Sequence, residues 1–153
     1  THPIFIALSI VFISVAPILY VNSMQNRKRK KELDRLLLLA RENNFHPDKT
    51  VSLPSLLLGL EAGTRRLMVV HLPSEQLKIT DLKEFKACDV HLNRTADRAI
   101  DRIFLNLIPK DKGIKEVQIL IYNEADEVNP DADRRLLIAN TWKGYINEII
   151  DQE

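Results

Sequence analysis

The residues able to do chemistry are few and scattered. Histidines stand at His2, His46, His71 and His91, and the single cysteine is Cys88. If His71 and His91 meet on adjacent strands near Cys88, a metal ion or a hydrolytic proton transfer is one reading of them. A zinc site, however, needs three or four converging ligands, and neither C-x-x-C nor H-E-x-x-H spacing is present. With only four glycines in the chain there is no Gly-rich phosphate loop, and no G-x-S-x-G elbow occurs. Asp97, Asp101, Asp111, Asp126, Asp131 and Asp133 fall largely in turn or cap contexts. A partly exposed strand histidine and a buried, inert thiol are the ordinary accounts of these positions. The expectation is a protein that is not an enzyme and has no cofactor or metal; a hydrolase using His71 or His91 is the least favoured option.

Charge is the second source of chemistry. The chain has 22 Lys and Arg against 21 Asp and Glu, and five of the bases form one run, Arg27, Lys28, Arg29, Lys30 and Lys31, so the remainder is net acidic. An acidic body argues against a nucleic-acid binder. The run suits anionic lipid headgroups at a membrane surface, or a plain topology signal. Arg65 and Arg66 form the one adjacent basic pair of the first predicted hairpin, with Lys78 and Lys83 nearby, and are the candidate ligand-binding cations.

Several elements must position these groups. Ile4 to Val21 is a stretch of 18 residues without a charge; at about 1.5 Å per residue it approaches the ~30 Å hydrocarbon core. A single-pass transmembrane helix is therefore expected over residues 1–25, with Ala7, Ser9, Ser14 and Ala16 allowing close helix approach. The basic residues after it place the N-terminus outside and the remainder in the cytoplasm, at an inner membrane. A basic juxtamembrane stalk helix follows over 26–44. Leu33, Leu36, Leu37 and Ala40 share one helical face there and form a candidate partner-binding stripe.

A domain over 45–153 completes the chain. Ser55 to Leu60 and Arg65 to Leu72 read as a hairpin in which Gly63 supplies any positive-φ position. Ser74 to Lys83 has only a sparse apolar pattern. Further strands are expected at Phe85 to Asn93, Ile100 to Ile108 and Glu116 to Tyr122. In the last of these, Val117, Ile119 and Ile121 alternate with Gln118, Leu120 and Tyr122. About five strands are legible in all. A closing helix is predicted with Asn129 as N-cap and Pro130 at its first position. Its apolar face is Ile138, Trp142, Tyr145, Ile146 and Ile149, with Trp142 a core anchor and Gly144 allowing a close approach to the sheet.

This order of strands closed by an amphipathic helix resembles the pleckstrin-homology-like fold, in particular small bacterial membrane-anchored versions of it, over Thr50 to Ile150. The fold class expected is α+β: an N-terminal transmembrane helix continuing into a stalk, then a mostly antiparallel pleckstrin-homology-like β domain with a C-terminal amphipathic helix. The function expected is that of a non-enzymatic accessory or assembly subunit of a larger membrane protein complex. Other subunits of that complex, the bilayer and a second copy of the chain are its candidate partners. The alternative is a membrane-tethered sensor or adaptor that binds anionic lipid or peptide through Arg65 and Arg66.

Overall fold

The computed structural model describes residues 30–152. The chain divides between Asn44 and Phe45 into two compact units. In the first, a helix (α1) covers residues 30–42. Leu36 and Ala40 are buried on it, Leu33 and Leu37 are half-buried, and Leu38 is exposed. Asn43 donates its side-chain amide to the Leu39 carbonyl at 2.8 Å, and Asn44 takes a left-handed φ of 58°, which closes the helix.

The second unit holds seven strands and a helix: β1 (Lys49–Ser52), β2 (Leu56–Glu61), β3 (Arg66–His71), β4 (Gln76–Asp81), β5 (Phe85–Arg94), β6 (Ile100–Pro109), β7 (Val117–Asn123) and α2 (Ala132–Ile150). They form two antiparallel sheets, ordered β1-β2-β3-β4 and β5-β6-β7. A short 3-10 helix, Leu82–Glu84, joins the sheets, with Asp81 capping it by accepting the Lys83 amide at 3.0 Å. One core is shared by both sheets and α2. Leu56, Leu58, Leu60, Leu67 and Val69 enter it from the first sheet, Cys88, Ile103, Leu105 and Leu107 from the second, and Trp142, Ile146 and Ile149 from the helix.

The expected fold class needs correction in its first part. Among the described residues no helix is long and apolar enough to cross a membrane. The helix over residues 30–42 carries Lys30, Lys31, Glu32, Asp34, Arg35, Arg41 and Glu42, too many charges for hydrocarbon. The Ile4 to Val21 stretch, its small-residue face and Arg27 to Arg29 lie outside the described residues. The described fold is α+β, with two helices and two antiparallel sheets.

Smaller corrections have local causes. The β2-β3 turn takes its left-handed residue at Arg65, with φ 56°, while no glycine among the described residues has positive φ. Asp131, not Asn129, caps α2, accepting the Arg134 amide at 3.1 Å, so the helix begins two residues later than its proline suggested. Gly144 is not at a close approach, since a methyl group there would meet nothing within 4 Å. The crowded glycine is Gly59 on β2, where a Cβ would lie 2.8 Å from Met68 Cε and 3.2 Å from the Phe45 ring. A register shift at Ile103 and Phe104 breaks the β7 alternation, so Ile121 and Tyr122 are both buried.

Candidate functional site

Helix α2 packs on β5, β6 and β7. Its seat is fixed by Asn147, whose Oδ1 accepts the Cys88 amide at 2.8 Å while its Nδ2 donates to the Cys88 carbonyl at 2.9 Å. The side-chain amide thus satisfies the edge of β5 as a neighbouring strand would. At the other end of the helix, Arg135 donates to the Ile121 carbonyl at 3.0 Å and to Glu127 at 2.9 Å, and lies over the Tyr122 ring.

This seating leaves a cleft between α2 and β1, the first strand of the four-stranded sheet. Its volume is about 420 Å³, and its lining is Lys49, Thr50 and Val51 from the strand with Leu137, Ile138, Thr141, Trp142 and Tyr145 from the helix. The walls are mainly apolar, and Leu137 stands 67% exposed at the lip. Trp142 and Tyr145 meet edge-on at 6.0 Å, while Lys49 Nζ lies 3.7 Å above the Tyr145 ring. Beyond that cation–π pair lies a smaller pocket of about 90 Å³, bordered by Asp48, Glu148, Ile149 and Gln152.

The strand side of the cleft has its own chemistry. Leu53 donates its amide to the Leu56 carbonyl at 2.8 Å, which makes Leu53 and Leu56 the hydrogen-bonded pair that closes the β1-β2 hairpin. Alternation along an antiparallel ladder then makes Val51 with Leu58 and Lys49 with Leu60 the other bonded pairs. The amides and carbonyls of Thr50 and Ser52 therefore point away from β2. Among the described residues no other strand pairs with β1.

The residues singled out from sequence fall elsewhere. His71 ends β3 and His91 lies on β5, in different sheets, so they are not on neighbouring strands. His91 is exposed beside the Phe104 ring at 6.4 Å. Among the described residues no group of three or more His, Cys, Asp or Glu side chains could hold a metal ion. Cys88 is fully buried, and burial, reinforced by Asp89, pushes its thiol up to about 12, which removes nucleophilic character at neutral pH.

Arg66 donates to Glu61 Oε1 at 2.9 Å and to the Thr64 hydroxyl at 3.0 Å, and its guanidinium lies 5.5 Å from the Phe45 ring centre. Glu61 also accepts the Thr64 hydroxyl and the His46 amide. Burial raises this carboxyl, but those donors and the charge of Arg66 outweigh it and hold the group at about 2 against an ordinary 4.5. Arg66 thus belongs to a structural knot at the β2-β3 turn, to which Arg65 contributes its backbone, donating its amide to the Ala62 carbonyl at 3.3 Å. Lys78 and Lys83 are exposed on β4 and the following 3-10 turn, and Lys30 and Lys31 are exposed on α1.

No protein-family model, curated protein or solved structure matches this chain. The cleft must therefore be read from its own geometry. Sequence reasoning found its helical wall, Ile138, Trp142 and Tyr145, as a core stripe, and missed β1. The strand's KTVS is short, polar and mostly exposed, so it carries no apolar alternation to find.

Proposed function

We propose that this chain is a non-enzymatic accessory or assembly subunit of a larger membrane protein complex, and that it holds a partner protein in the cleft between β1 and α2. The cleft carries this reading. It combines mainly apolar walls, an aromatic pair and a strand edge that no other described strand pairs, the features of a protein-binding groove. The uncharged residues and basic run at the N-terminal end favour a membrane complex and a cytoplasmic position. The resemblance to pleckstrin-homology-like domains belongs to the same reading: four plus three antiparallel strands closed by a helix are in keeping with it, and such domains serve protein binding among other roles.

The alternative, headgroup or peptide binding through Arg65 and Arg66, has less support because the Arg66 guanidinium is already committed to Glu61. The test is purification of the tagged full-length chain in gentle detergent beside its Leu137→Glu variant. A stoichiometric partner that is lost from the variant is the expected result. Recovery of the wild-type chain alone, or with a partner indifferent to Leu137→Glu, overturns the proposal.

A further inference from the structure

Resting on the cleft reading above, we infer that the occupant is an extended segment of a partner protein that adds to the first sheet as a strand beside β1, with apolar side chains at alternate positions and a basic residue at one end. The backbone chemistry selects the extended form. Thr50 and Ser52 turn their amides and carbonyls away from β2, and only another extended backbone offers donors and acceptors at the matching two-residue spacing of about 6.8 Å. A docked helix has satisfied its own backbone and would leave these groups unpaired.

The side chains of the segment follow from the walls. A strand placed about 4.8 Å from β1 directs every second side chain to the same face. One of its two rows therefore meets Leu137, Ile138 and Trp142. Past the Lys49–Tyr145 pair, Asp48 and Glu148 border the smaller pocket, so that carboxylates outnumber the single lysine there. A lysine or arginine at that end of the segment is complementary to them. An acidic residue there would face like charge.

Trp142 is the only tryptophan of the chain and lies on the cleft wall, so its emission reports occupancy. The probe is a capped octapeptide alternating valine and threonine with a terminal lysine, made in both directions and titrated into the full-length chain. A saturable emission change is expected. It should weaken about tenfold or more when alternate peptide amides on one edge are N-methylated, and stay within about twofold when the other alternate set is methylated. Thr50→Pro should reproduce the loss, because it removes an outward amide and leaves the β1-β2 ladder intact. The methylated peptides need no protein variant, so the inference stands or falls even where Thr50→Pro fails to fold.

No saturable change up to millimolar peptide, equal response to both methylation patterns, or wild-type binding by a folded Thr50→Pro chain overturns strand addition. So does a concentration-dependent dimer of the free chain that Thr50→Pro abolishes, which would make a second copy the occupant. Leu137-dependent copurification of a partner together with any of these results would leave the cleft reading standing and remove only the strand.

Discussion

Glu61 shows how a carboxylate can stabilise a turn from a nearly buried position. Its folded pKa of about 2 lies below the ordinary 4.5, so its stabilising contribution is fully present above about pH 4.5 and is lost as pH falls from there through 2. Urea titrations at pH 7, 4 and 3 should therefore show a progressive drop for the natural chain. Glu61→Gln should be less stable at pH 7 and show a flatter acid limb. A parallel acid limb in the variant would remove Glu61 from the account. Cys88 makes a second residue-level case. With its thiol at about 12 and no exposed surface, it should resist alkylation by iodoacetamide at pH 8 in the folded chain and react once urea unfolds it. Labelling at the same rate in both states would contradict its burial.

At the scale of elements, the two glycines once compared for close packing should respond in opposite directions. Gly144→Ala adds helix propensity where nothing is met, and should raise stability by up to about 1 kcal/mol in chemical denaturation. Gly59→Ala forces a methyl group against Met68 and Phe45, and should destabilise by roughly 1–3 kcal/mol. The long apolar strands β2, β3, β5, β6 and β7 and the stripe of α2 were legible because each carries its pattern within its own residues. Strands β1 and β4 were not. Lys49–Ser52 lacks apolar alternation, and Gln76–Asp81 is an edge strand with only one buried residue, Thr80. The Asn129 and Pro130 signal misled by two residues because Asp131 supplies the competing cap. The cleft was half legible: its helical wall could be read as a stripe, while its strand wall lies about ninety residues earlier in the chain and no local pattern links the two.

The second unit shares one core between both sheets and α2, which makes their unfolding a common event. Leu105, fully buried at the centre of β6, reports on that coupling. Leu105→Ala should cost about 2–5 kcal/mol. Trp142 emission and far-ultraviolet circular dichroism should shift together in urea. Separated transitions would mean that the sheets unfold independently. The edges of the two sheets are treated unequally within this core. Asn147 stands in for a missing strand at β5, whereas among the described residues β1 has no strand beside it and borders the cleft with α2 on its far side. An added strand would find the helix, rather than another vacancy, next to it. Such an arrangement limits occupancy to one guest per molecule and stops the sheet from propagating into a fibre, so the open edge would bring little of the aggregation risk that usually accompanies one.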